Sequence, residues 1–261
     1  MFLLKVNRKL IIQHLKSLYH KLSIHPITLV YFLFSWMGGY LKWYLSTLLI
    51  VCLHEICHLL MAYYFHFQIK KIELLPFGAY LYLKDFYFQS IWKEMCVVLA
   101  GPCSHLFIYA GIQMLSHGVY RDFLLTMNMF VLCFNLLPIY PLDGGRFLSL
   151  LLQSIMDLKK SLFLTLKISI FVYCLLFLFY LQMNTVVILC YLFYQLCCFY
   201  RFIFIYLRTY YGRIPSFSNQ RPPLVHDRII YRRGYHNYYV IDQKMRDEKE
   251  MVPELLKSIK K

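Results

Sequence analysis

An all-α polytopic membrane protein of about six transmembrane helices is the fold predicted here, with a small membrane-associated β-hairpin and a small cytoplasmic α/β tail. Three observations predict it. Of 261 residues, 60% are hydrophobic and 16% charged, against about half and about a quarter in a soluble domain. No single water-facing globule hides that much apolar surface. The apolar residues gather into stretches of about 20, the length that crosses hydrocarbon as a helix. The basic residues lie almost wholly on one side of those stretches. Together these exclude an ordinary cytosolic enzyme, a disordered chain and a secreted disulfide scaffold.

The stretches are residues 22–41, 43–65, 94–116, 123–151, 161–181 and 183–207. In the first, Pro26 shortens the clean apolar part to 27–41. The fourth contains Pro138, Pro141, Gly144 and Gly145 and is not one continuous helix. Non-helical backbone at membrane depth is tolerated only where protein or a water-filled cavity surrounds it, so that break reads as a site. With the N-terminus inside, all but three of the 28 lysines and arginines fall on the cytoplasmic side; Lys42 and Arg121 lie outside and Arg146 lies at the break. This is the positive-inside pattern, and it places both termini in the cytoplasm. The net charge of +15 then follows from topology and implies no nucleic acid, since basic residues beside anionic lipid need no further partner. The nine cysteines all fall in apolar stretches without CxxC spacing, which reads as inert core thiols. The first 21 residues carry five basic residues and no small-residue cleavage site, unlike a cleavable signal.

Two segments are not spans. Residues 72–75 and 79–83 flank a Pro76-Phe77-Gly78 turn and read as a hairpin at the membrane surface. From about Arg208 the composition turns polar and basic, with Pro215, Pro222 and Pro223. The chain therefore divides into a membrane domain over 1–207, a linker over 208–223 and a tail over 224–261. In the tail, 237–242 reads as a strand and 253–259 as a short helix.

Of thirteen acidic residues, only Glu55 and Asp143 lie deep within predicted spans. A charge there is costly and marks a functional site by default. Glu55 belongs to His54-Glu55-Ile56-Cys57-His58. On a helix, positions i and i+4 share a face, so His54 and His58 can hold one zinc ion, with Glu55 at the edge of that face to move a proton. A pair of hydrogen-bonded core histidines is the bland alternative, but three ionisable groups within five residues make it expensive. A catalytic zinc takes three protein ligands and keeps one position open. Asp143, within Asn135-Leu-Leu-Pro138-Ile-Tyr-Pro141-Leu-Asp143-Gly144-Gly145-Arg146, is the candidate third ligand. The glycines let backbone come close to metal or substrate. Capping of the helix that resumes after them is the structural alternative for Asp143. His105 and His66 are weaker ligand candidates.

HEICH in a membrane helix, followed by NLLPIYPLDGGR and accompanied by an Ala100-Gly101-Pro102 break in the third span, resembles the site-2 protease family of intramembrane zinc metalloproteases, its sporulation branch above all. The resemblance covers residues 1–207. It implies that His54, His58 and Asp143 ligate Zn2+, that Glu55 is the general base, and that Asn135 and Pro141 help hold substrate. Cys57 stands where many bacterial members carry glycine. The implied substrate is a membrane-associated protein, the precursor of a sporulation sigma factor on the mother-cell side, and the implied partners include inhibitory membrane proteins. A homo-oligomer is compatible with this reading. The tail resembles the end of a CBS module, a nucleotide-sensing unit, which raises ATP as a second ligand, although no first helix is legible between 224 and 234.

Three rivals compete. A metal or proton transporter using the same polar groups predicts further charges along the fifth and sixth spans, which show only Lys167 and the neutral Gln182, Asn184 and Gln195. A zinc protease completed by a later glutamate has only Glu73 and Glu94 to draw on before the tail, neither as deep as Asp143. A non-enzymatic scaffold leaves both buried acids unexplained.

Overall fold

The computed structural model describes residues 22–24, 26–75, 78–84, 88–179, 183–217, 220–241 and 243–259. It falls into two compact units, one of residues 1–87 and 100–132, the other of 88–99 and 133–261. Over the described residues the protein is mostly helical, with two small sheets.

In the first unit, strand β1 (Leu22–Ile24) precedes helix α1 (Pro26–Met37), and α2 runs over Leu41–Tyr64. Pro26 opens α1 from the position where a missing N–H costs nothing. The helix stops twelve residues later because Gly39 adopts φ +73°. The Gly39 and Tyr40 amides then turn back to the Trp36 and Ser35 carbonyls at 3.2 and 2.8 Å, a Schellman ending. The expected first span of 22–41 is thus a strand and a helix about 18 Å long. Helix α2 ends in the same way. His66 sits at φ +60°, with the His66 amide on Tyr63 O and the Phe67 amide on Ala62 O, both at 2.9 Å.

The expected hairpin is present and longer at both ends: β2 (Gln68–Leu75) pairs antiparallel with β3 (Gly78–Lys84). β1 joins β2 in parallel, so the sheet order is β1-β2-β3 with β2 central. β3 packs along α2. Helix α3 (Ile91–Gln113) contains Pro102 within its length and runs through the expected Ala100-Gly101-Pro102 break without interruption. Helix α4 covers Val119–Leu136.

The second unit carries α5 (Asp143–Ile155), α6 (Leu158–Phe179), α7 (Met183–Gly212), strands β4 (Pro223–His226), β5 (His236–Ile241) and β6 (Lys244–Asp247), and α8 (Val252–Ser258). The fourth stretch does break where its prolines stand, giving α4 and α5. Asp157 caps α6, its carboxylate accepting the Lys160 amide at 3.1 Å. α7 continues past residue 207 to Gly212. In the tail, β5 pairs parallel with β4 and antiparallel with β6; residues 227–235, between β4 and β5, form a loop rather than a helix. That loop is tied down firmly. The Leu158 amide donates to Tyr231 O at 2.9 Å, the Tyr231 amide donates to Asp157 Oδ1 at 2.8 Å, and Arg232 reaches Ser154 O at 3.2 Å. Burial pushes the Tyr231 phenol well above its usual range, so it stays neutral and accepts a hydrogen bond from Arg221 at 2.9 Å.

Among the described residues, four helices are long and apolar enough to cross a membrane: Leu41–Tyr64, Ile91–Gln113, Leu158–Phe179 and Val186–Gly212. The protein is an integral membrane protein. The cysteines depart from expectation: five are exposed, four are half-buried and none is in the core. In a membrane helix an apolar stretch supplies lipid-facing as well as core positions, and a thiol suits either.

Candidate metal centre

The two histidines of α2 are one helical turn apart and buried, 1% and 8% exposed. Their Nε2 atoms face each other at 3.0 Å. Two nitrogens on one tetrahedral zinc, each at about 2.0–2.1 Å, lie ~3.3 Å apart, so the pair already stands close to ligand spacing. Space for this comes from α3. A Cβ at Gly101 would lie 2.2 Å from His58 Nε2 and 2.7 Å from His54 Cε1. Only glycine lets the α3 backbone pass this close to the imidazoles. Gly101 matters through this approach and not through a break in the helix.

Behind His54 stands a second polar layer. His54 Nδ1 meets His105 Nε2 at 3.0 Å, and His105 Nδ1 meets Asn128 Oδ1 at 2.7 Å. The Asn128 amide group in turn donates to the His105 carbonyl at 3.2 Å. His105 and Asn128 are 1% and 4% exposed. His105, a candidate ligand by sequence, is therefore placed behind a histidine of the pair. His66 is exposed and serves as the left-handed stop of α2. Asn128 escapes sequence inspection, where its one signal is an amide in an otherwise apolar run.

Asp143 is the first residue of α5, 7% exposed. Leu142 occupies the cap position, so Asp143 belongs to the first turn and is not the cap. The glycines after it are forced by the loop that precedes it. A Cβ at Gly144 would meet Leu136 O at 2.1 Å, and one at Gly145 would meet the Ile139 carbonyl carbon at 2.4 Å. What these glycines admit is the chain's own backbone over 136–140. Ser169 of α6 fixes that loop further, accepting the Tyr140 amide at 3.1 Å and donating to Pro138 O at 3.2 Å. The Tyr140 ring stacks on Phe199 with centroids 3.8 Å apart.

His54 and His58 in the first unit and Asp143 in the second are all buried. Two imidazoles and a carboxylate form a donor set that suits zinc and leaves a position open. Glu55 follows His54 on α2 and is half-buried. Asn135, near the end of α4, and Pro141, two residues before Asp143, are also half-buried.

The model of peptidase family M50 matches residues 43–121 and 113–181. The chain is 34% identical over 161 residues to stage IV sporulation protein FB of Bacillus subtilis, covering 60% of this chain and 56% of that protein. It is 31% identical over 121 residues to a zinc metalloprotease of Methanocaldococcus jannaschii, covering 42% of this chain and 34% of that one. The chain thus spans little more than half the length, at most, of these curated relatives. The site-2 protease structure from Methanocaldococcus jannaschii superposes with a TM-score of 0.51 at 22% identity, over 67% of this chain and 89% of that one, a likeness of fold. A helix bearing two buried histidines, a broken stretch presenting a buried aspartate and a family match that spans both have one common account: the chain belongs to peptidase family M50.

Proposed function

We propose that the protein is an intramembrane zinc metalloprotease, with His54, His58 and Asp143 holding the metal and Glu55 acting as general base. The His54 and His58 Nε2 atoms, buried and 3.0 Å apart near the spacing of two ligands on one zinc, carry this reading. Bound there, zinc supplies Lewis acidity that polarises a peptide carbonyl and acidifies water. Glu55 takes the proton of the attacking water and hands it to the leaving amine. Asn135 and Pro141, flanking the loop before α5, hold the substrate backbone. A helical substrate hides its carbonyls, so it must be extended before attack. The outer edge of β3, at one side of the β1-β2-β3 sheet, offers main-chain pairing to such a segment.

The proposed substrate is a membrane-associated protein, the precursor of a sporulation sigma factor, and inhibitory membrane proteins are the proposed partners. Similarity to the Bacillus subtilis sporulation protein supports both. In the proposed topology α1 and the α4–α5 pair complete six spans, and both termini face the cytoplasm. The membrane domain, linker and tail divide near 207 and 223. The tail is CBS-like in β5 and α8 only. Residues 227–235 form a loop where a CBS module has its first helix, and ATP is the ligand that the CBS likeness of the tail would add.

The test is purification in detergent of wild type and Glu55→Gln, with metal analysis and co-expression with a membrane-tethered precursor. Equal zinc in both proteins with cleavage by wild type alone supports the reading. Cleavage by Glu55→Gln removes Glu55 as base, and wild-type protein without stoichiometric zinc ends the proposal.

A further inference from the structure

We propose that Asn128 and His105 form a relay that sets which nitrogen of His54 carries hydrogen, and so presents the His54 Nε2 lone pair to the metal. The inference rests on the zinc reading above and assigns positioning residues behind it.

The relay starts from a group whose polarity is fixed. The backbone carbonyl of His105 only accepts, so the Asn128 group 3.2 Å from it is the NH2. The Asn128 oxygen must then be the atom 2.7 Å from His105 Nδ1. An amide oxygen has no hydrogen to give, so His105 Nδ1 carries one. In a neutral ring this leaves His105 Nε2 bare. That bare nitrogen lies 3.0 Å from His54 Nδ1, which must donate to it. In a neutral His54 the lone pair is then on Nε2, the atom facing His58 Nε2. Each assignment follows from the one before it, from a carbonyl of α3 to the metal-facing edge of α2. The three side chains come from α2, α3 and α4, so the relay also fixes the plane of the His54 ring. Hydrogen bonding behind a metal ligand commonly changes affinity by about 10–100-fold.

The test uses the full chain in detergent. In wild-type protein labelled with 15N-histidine, both His54 and His105 should show the Nδ1–H form in the metal-free state; His105 in the Nε2–H form overturns the inference without requiring any variant. Zinc competition against a graded chelator then compares His105→Leu, His105→Gln and Asn128→Leu. His105→Leu should hold zinc about 10–100-fold more weakly. Asn128→Leu should weaken it in the same direction. His105→Gln, whose amide oxygen can still accept from His54 Nδ1–H, should regain most of the affinity. Equal loss in the Leu and Gln variants would mean that ring packing matters and the relay does not. Unchanged affinity in His105→Leu would also end the inference while leaving the zinc reading intact. Wild-type protein that binds no zinc would remove both.

Discussion

Arg233, in the loop before β5, forks onto Glu94 in the first turn of α3, and the two side chains are 2% and 0% exposed. Arg233 also donates to Gln153 Oε1 at 2.9 Å and to the Gln89 carbonyl at 2.8 Å. Every hydrogen-bonding partner is an acceptor, as a buried guanidinium requires. Burial alone would lower its pKa, but the Glu94 carboxylate outweighs that and raises it.

Removing one member of such a pair leaves the other charge buried alone, which costs about 3–5 kcal/mol. Arg233→Met should therefore lower the thermal midpoint and open the tail after Arg213 to limited proteolysis. The double variant Glu94→Leu/Arg233→Met should recover much of the loss, because no uncompensated charge remains. Equal stability of Arg233→Met and wild type would show that the tail is held by its backbone bonds to Asp157 and Leu158 instead.

Gly101 is the second point of sensitivity. An alanine there places its Cβ 2.2 Å from His58 Nε2, so either a ring or the α3 backbone must move. Overpacking of this kind costs about 1–3 kcal/mol, and the strain falls on the imidazole pair. Gly101→Ala should lose zinc to chelators far more readily than wild type while its metal-free unfolding changes modestly. Gly111, whose added Cβ meets nothing within 4 Å, is the control: Gly111→Ala should retain zinc.

Much of this centre is legible in the sequence because its signals are local. HEICH has the i, i+4 period of one helix face, and Pro138 and Pro141, three residues apart, stop helical hydrogen bonding. The hairpin and the last helix are legible for the same reason. Asn128 behind His105, and Glu94 beneath Arg233, are pairings across 23 and 139 residues and leave no local period to detect. β1 is hidden because Leu22-Ser23-Ile24, shortly ahead of Pro26 and the apolar run after it, looks like the start of a span. His66 misleads in another way: a histidine soon after a metal motif suggests a ligand, whereas its φ of +60° makes it a helix stop.

That role gives a third prediction. A left-handed conformation costs a side-chain-bearing residue about 1–2 kcal/mol, part of which glycine returns as unfolded-state entropy. His66→Gly should raise stability by up to about 1 kcal/mol in thermal unfolding and leave zinc content unchanged. A loss of zinc would restore His66 as a ligand.

Asp143 separates the catalytic reading from the structural one. A carboxylate in the first turn of a helix gains from the dipole by up to about 2 kcal/mol where it is partly buried, and Asp143 is buried. Leu142, not Asp143, is the cap. Asp143→Asn keeps the size and one acceptor oxygen but removes the negative charge that a zinc ligand supplies. Its metal-free thermal unfolding should stay within about 2 kcal/mol of wild type, while zinc content falls and precursor cleavage stops. Equal zinc in the two proteins would return Asp143 to the helix and leave the two histidines without their carboxylate.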